Sequence, residues 1–377
     1  MITNTFSRLF FGIALTALCS LILLGCAEKP KITPKVQDVT EQTADEKIPA
    51  AAALSPWEAP AGLPKLPVPA DNPITTEKVA LGKLLFFDKR LSKDGTISCA
   101  TCHIPKVGWA ESTPVSTGIG EQIGPVNAPS VINTAYPTTL FWDGRVASLE
   151  EQALGPIENP IEMGHKLEDL VPELNKIDGY KELFQKVFGE DVTKDGIAKA
   201  IAAFERTVLS GNSAYDKYIA GDQSAMTADQ IKGWELFQER NCVKCHVPPL
   251  FSNHKFYNAG VDYEPANLEA GNKPHPGLAD FSKNEKDAGK FRTPMLRDIV
   301  DTKPYTHSGK YETLDDIILV MLQGGIKNAG RSRILAANVA LFEDDPNKEE
   351  TVKNIKAFLG ALSGDYPKVE EPTEFPK

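Results

Sequence analysis

Cys99-Ala100-Thr101-Cys102-His103 and Cys242-Val243-Lys244-Cys245-His246 are the stretches that decide how this chain folds. In an exported chain a Cys-x-x-Cys-His run attaches haem c: both thiols add to the porphyrin vinyl groups, and the adjacent His falls beneath the iron. One such run alone also admits a zinc knuckle or a redox dithiol. Two runs weaken both rivals, because zinc wants further Cys or His at ligand spacing and His165, His254 and His275 are scattered singly. Two covalently bound haem c groups are expected, one on Cys99, Cys102 and His103, the other on Cys242, Cys245 and His246.

The sequence around the two runs repeats. Upstream, Gly82-Lys83-Leu84-Leu85-Phe86 matches Gly233-Trp234-Glu235-Leu236-Phe237. Downstream, Ala128-Pro129 through Asp143-Gly144 to Leu149-Glu150-Glu151 matches Thr293-Pro294 through Ser308-Gly309 to Leu314-Asp315-Asp316 without a gap. The pattern is that of an internal duplication. The fold expected is mainly α, with two small cytochrome c-like domains whose haems supply much of the core that so short a chain lacks. Ile197, Ile201, Phe204 and Val208 at helical spacing mark a helix within Thr193–Ser210 that closes the first domain.

Working outward, Arg8 precedes an apolar run, Leu9 to Leu24, that ends in Leu23-Leu24-Gly25-Cys26. This reads as a lipoprotein signal with Cys26 as the lipidated residue; length alone would also suit an uncleaved anchor. Either reading exports the body, to face the periplasm or the cell surface, with the membrane reached through the N-terminus only. From Ala27 to about Ala70 the chain is rich in Pro, Ala, Lys, Glu and Thr, the composition of a disordered tether reaching roughly 35 Å. The expected divisions are 1–25 signal, 26–71 tether, 72–222 and 223–367 haem domains, and 368–377 tail. The six cysteines are all accounted for: Cys19 leaves with the signal, Cys26 takes lipid, and four hold haem. A formal net charge of −10 argues against nucleic acid and leaves room for a basic partner protein.

A haem iron that only passes electrons has a second axial ligand, often Met, whereas a catalytic iron needs an open position. Met163 and Met321 both follow their runs at a workable distance. The repeat separates them: Met321 lies seven residues after Leu314, and the matching residue after Leu149 is Pro156, which cannot bind iron. One haem is therefore expected to be ligated by His246 and Met321, and the His103 haem to lack Met. If that iron is open, cleaving an O–O bond there requires a group that takes a proton from one oxygen and delivers it to the other, a task Glu162 suits.

These motifs together resemble the bacterial di-haem cytochrome c peroxidases from about Pro73 to Pro367. The resemblance rests on Phe86-Phe87-Asp88, both haem runs, Phe141-Trp142-Asp143-Gly144-Arg145, Asn159-Pro160-Ile161-Glu162-Met163-Gly164, Ala202-Ala203-Phe204-Glu205-Arg206-Thr207, and Pro304-Tyr305 with His307-Ser308-Gly309. It implies Glu162 as catalytic acid/base, Gln152 beside it in the distal pocket, and Trp142 between the haems on the electron path. It also implies Met321 as second ligand of the electron-transfer haem and His307 against a haem propionate. A Ca²⁺ between the domains is implied too, held by the Asn127 side chain and the carbonyls of Thr302 and Pro304, hard oxygen donors that suit it. Dimers are usual in the resembled family.

Two departures stand out. Ile119, in Ser116-Thr117-Gly118-Ile119-Gly120, replaces the removable distal His that the family commonly places there, so the His103 iron is expected to be open even when both irons are ferric; His165 is a distant substitute. Val126 stands where the family often has Arg, with no effect assigned. The expected function is hydrogen peroxide reduction with electrons from a cytochrome c or a cupredoxin. A second class comprises related di-haem proteins that oxidise a partner protein's side chains; these place Tyr where this chain has Met321. A third is a non-enzymatic electron carrier or sensor, which needs Met163 or His165 as a sixth ligand on the His103 iron.

Overall fold

A computed structural model of the chain describes residues 57–263 and 273–377. The expected signal, Cys26 and the expected tether up to residue 56 lie outside the described residues.

The first half is built on α1 (Thr76–Phe87) and α5 (Lys194–Glu205), each started by a Thr that accepts a backbone N–H of its own first turn, Thr75 from Lys78 and Thr193 from Gly196. They cross at Gly82, where an added Cβ would lie 1.9 Å from the Ala200 carbonyl oxygen. Only a residue without a side chain permits this approach. The second half repeats the arrangement with α7 (Ala228–Glu239) and α9 (Lys348–Gly360), which cross at Gly233, 1.9 Å from the Asn354 carbonyl oxygen by the same construction. Phe86 meets Phe204 with ring centroids 5.3 Å apart, and Phe237 meets Phe358 at 5.1 Å. The Gly-x-x-x-Phe echo in the sequence is thus a helix-crossing device used twice. Between these pairs run α2 (Leu149–Glu158), α3 (Leu167–Leu174), α4 (Asp178–Phe188) and α6 (Ala214–Ile219) in the chain's first part, and α8 (Leu314–Leu322) in its second. Two short strands, β1 (Phe256–Tyr257) and β2 (Phe291–Arg292), pair antiparallel with Phe256 opposite Arg292.

The apolar core falls into two main clusters, one from Leu81 to Val208 and one from Tyr215 to Leu362. Tyr215, on α6, packs against Trp234, Phe251 and Phe358, so the second cluster begins before residue 223. The described part of the expected tether, residues 57–71, and the expected tail are packed. Leu66 is buried and Asn212 N–H donates to the Ala61 carbonyl at 2.7 Å; just beyond, Asn72 is buried and its Nδ2 donates to Glu150 at 2.6 Å. At the other end, Tyr366, Val369 and Phe375 pack on the first cluster, and Trp109 Nε1 donates to the Pro367 carbonyl at 2.9 Å. Composition reports the lack of an internal core; it does not see backbone partners supplied by a distant surface. The Arg297–Asp216 pair fastens this region: both Asp216 oxygens accept, at 2.7 and 2.8 Å, and the Arg297 side chain is wholly buried.

Candidate functional site

Each haem-attachment run is one tight turn. Residues Cys99–Cys102 form a helical turn in which Thr101 Oγ1 accepts the Ser98 N–H, and His103 N–H closes onto the Cys99 carbonyl at 2.9 Å. His246 N–H closes onto Cys242 in the same way at 2.8 Å. This closure sets each imidazole beside its two thiols. Burial pushes both imidazoles down, so they are neutral, the form that binds iron. His246 Nδ1 lies 2.9 Å from the Phe251 carbonyl; a proton on that nitrogen leaves Nε2 as the ligand atom. None of the four cysteines is in a disulfide. Burial pushes Cys102 up to about 11 and Cys242 up to about 12, and raises Cys99 and Cys245 as well. Such thiols hold their protons, unlike the thiolates of a redox dithiol. Among the described residues no three of His, Cys, Asp and Glu gather as a metal site.

Both turns open onto one cavity of about 690 Å³. Its wall includes Cys99, Cys102, His103, Cys242, Cys245, His246 and Met321, and with them Glu162, Gln152, Trp142, Asn127, Thr302, Pro304 and His307. The structure therefore brings every site residue expected from the sequence, other than Cys26, to one place. The mostly apolar wall and the two buried neutral imidazoles fit two haem c groups.

Helices α8 and α2 begin at Leu314 and Leu149, each capped by the preceding Thr313 or Ser148. Seven residues on, Met321 and Pro156 each reach the cavity wall. Met163 is buried in the first core cluster and also reaches the wall. His165 does not: its Nε2 lies 3.5 Å from Glu173.

Glu162 is half-buried, and its Oε1 accepts Asn159 Nδ2 at 2.8 Å. Burial raises its carboxyl above the usual range, outweighing that bond and the nearby charge of Arg145. Arg145 is held over the Phe141 ring at 3.5 Å and bonds both Asp143 oxygens at 3.0 Å. The loop before it in sequence is clamped to the same segment: Ile119 N–H donates to the Glu162 carbonyl at 2.8 Å, and Gln122 Nε2 to Pro160 at 2.9 Å. Gly118 forms part of the wall, whereas Ile119 is turned under Gly164, whose φ is +60° and where an added Cβ would lie 2.3 Å from Ile119 Cδ1.

Trp142 sits where the halves meet. Its Nε1 donates to the Asn127 carbonyl at 2.9 Å, Asn127 N–H donates to the His307 carbonyl at 2.7 Å, and Arg292 N–H donates to the Trp142 carbonyl at 2.8 Å. Asn127 Nδ2 donates to Thr113 at 2.9 Å, leaving its side-chain oxygen as the end that can serve a cation, which fits the calcium assignment. The His307 ring stacks on Phe291 at 3.5 Å and meets Trp142 edge-on, and its Nε2 lies 3.0 Å from Asp262. Burial alone would raise Asp262, but the contacts with His307 and His275 together outweigh it and hold the carboxyl low. Asp262, Arg292 and Glu205 belong to this site and escaped the sequence reading; nothing in local pattern marks a charged residue as buried.

Two Cys-x-x-Cys-His turns on one cavity, each with a neutral imidazole, define a di-haem c-type cytochrome. The family model for di-haem cytochrome c peroxidase matches residues 76–224. The chain is 39% identical over 312 residues to cytochrome c551 peroxidase of Nitrosomonas europaea, covering 82% of this chain and 86% of that one. It is 36% identical to methylamine utilization protein MauG of Methylorubrum extorquens, covering 81% and 84%. A crystal structure of a MauG-like protein associated with microbial copper homeostasis superposes with a TM-score of 0.72 at 30% identity, covering 84% of this chain and 99% of that one. The chain belongs to the di-haem cytochrome c peroxidase family, whose members carry two haem groups of the c type.

Proposed function

We propose that the protein reduces hydrogen peroxide to water, taking two protons and two electrons per molecule, the electrons coming singly from a small cytochrome c or cupredoxin. The observation that carries this reading is Glu162: a carboxyl on the cavity wall, held by Asn159 and raised by burial, placed to accept a proton and return it. The haems, when bound, supply the redox chemistry. Glu162 takes the proton of incoming peroxide and delivers it to the departing oxygen; Gln152, on the same wall, orients the peroxide. Met321 closes the His246 side, and Pro156 leaves the matching position without a ligand. Trp142, fixed through its indole N–H, spans the junction between the two sides.

Of the two sixth-ligand candidates the carrier reading needs, His165 lies beside Glu173 away from the cavity while Met163 reaches the wall, so that reading rests on Met163 alone. The side-chain oxidase reading is disfavoured by Met321. The same proposal includes a Ca²⁺ at Asn127, Thr302 and Pro304, His307 against a propionate, an origin by duplication of one haem unit, and export with a lipid on Cys26.

Steady-state turnover of peroxide with reduced cytochrome c tests the proposal. Glu162→Gln, which keeps the Asn159 contact but not the proton, is expected to lower kcat by about 10²- to 10⁴-fold with haem content unchanged. Turnover equal to wild type would remove Glu162 from the mechanism.

A further inference from the structure

Among the described residues, the buried arginines follow one rule, with one exception. Arg206 bonds both Glu150 oxygens at 2.7 and 2.9 Å, and Arg297 bonds both Asp216 oxygens. Arg292, on β2, is only 8% exposed and has no carboxylate partner among the described residues. Its Nε donates to the Phe141 carbonyl at 3.3 Å, and its Nη1 is buried without any hydrogen-bond partner. The side chain lies on the cavity wall, and its backbone N–H is fixed to the Trp142 carbonyl at 2.8 Å.

A buried cation without a counter-charge is costly, because desolvation is unpaid by any attraction. Burial pushes this guanidinium down to about 10, which still leaves it charged at neutral pH. The field is felt next door: burial and the Arg292 charge together push His254 down to about 4. The missing anion must therefore come from what occupies the cavity. Haem is neutral across most of its face and carries two carboxylates on one edge.

We infer that Arg292 is the counter-ion of a haem propionate at the Trp142 junction, and that through this pairing it raises the reduction potential of that haem. This inference rests on family membership and on the cavity, and not on the identity of the oxidant. It makes Arg292 a positioning and potential-setting residue rather than a catalytic one.

Spectroelectrochemical titration of the two-haem protein tests it. Replacing Arg292 by Met leaves a propionate charge uncompensated, which favours the ferric state. The ferrous-to-ferric ratio of one haem at fixed potential should fall at least threefold in Arg292→Met, on a scale where tenfold is about 59 mV for one electron. Arg292→Lys keeps the charge and should stay closer to wild type. If the Met variant fails to assemble with two haems, Arg292→Gln serves as the neutral variant. A smaller shift in both midpoints, or a Lys variant displaced as far as the neutral one, would overturn the inference. So would a wild-type midpoint that moves as far on raising chloride, since Arg292 would then serve a free anion.

Discussion

Glu205 offers a quantitative test of how the first haem side is built. It ends α5 on the cavity wall, is buried, and its Oε2 has no hydrogen-bond partner. Burial pushes its carboxyl from 4.5 up to about 8, with the Arg206 charge offsetting only part of the effect. Moving a carboxyl that far corresponds to roughly 4–5 kcal/mol of discrimination against the charged form, an upper limit for the folded protein. Because the folded value lies above the unfolded one, the contribution of Glu205 is fully present below about pH 4.5 and is lost as pH rises to about 8. Glu205→Gln is neutral at every pH and escapes that loss. Urea unfolding of the holoprotein and the Gln variant should therefore show a stability difference that moves in the variant's favour between pH 5 and pH 8 and then levels off. A difference independent of pH would mean that Glu205 is either solvated or paired in the folded protein, and would rule out a buried carboxyl without a partner.

Three further substitutions probe the scaffold. Gly233→Ala places a methyl 1.9 Å from the Asn354 carbonyl oxygen and should destabilise by about 1–3 kcal/mol or more, whereas Gly360→Ala, with nothing within 4 Å, should be neutral or stabilising; thermal melts of both decide it. Asp216→Asn leaves Arg297 buried and unpaired, at a cost of about 3–5 kcal/mol at pH 7. Burial opposes ionisation of Asp216, but Arg297 and the Ser213 hydrogen bonds together outweigh it and hold the carboxyl low. Its stabilisation is therefore present above about pH 4 and lost as pH falls below that, so the wild-type advantage in denaturant titrations should shrink in acid.

The motifs and their repetition were legible because covalent chemistry and helix crossing demand specific residues: two thiols and a His at fixed spacing, and a glycine where a neighbouring carbonyl comes within contact. Met321 and Pro156 were separable because both are counted from a helix start set by a capped Leu. The packing of residues 57–71 and 368–377 was not legible, since segments without periodicity are held here by bonds to remote surfaces, as at Ala61 and Lys377. Nor was the placement of Ile119. The loop's bond to the Glu162 carbonyl turns that side chain under Gly164, a choice made by tertiary contact. The partnerships of Asp262 with His307 and of Arg292 with no carboxylate are visible only once burial is known.

The most direct test of the central claim, an accessible iron on the His103 side beside Glu162, is the EPR spectrum of the fully ferric protein, followed by peroxide addition without pre-reduction. One low-spin signal from the His246/Met321 haem and one high-spin signal from the other are expected, with immediate loss of the high-spin signal on adding peroxide. Two low-spin signals would contradict it.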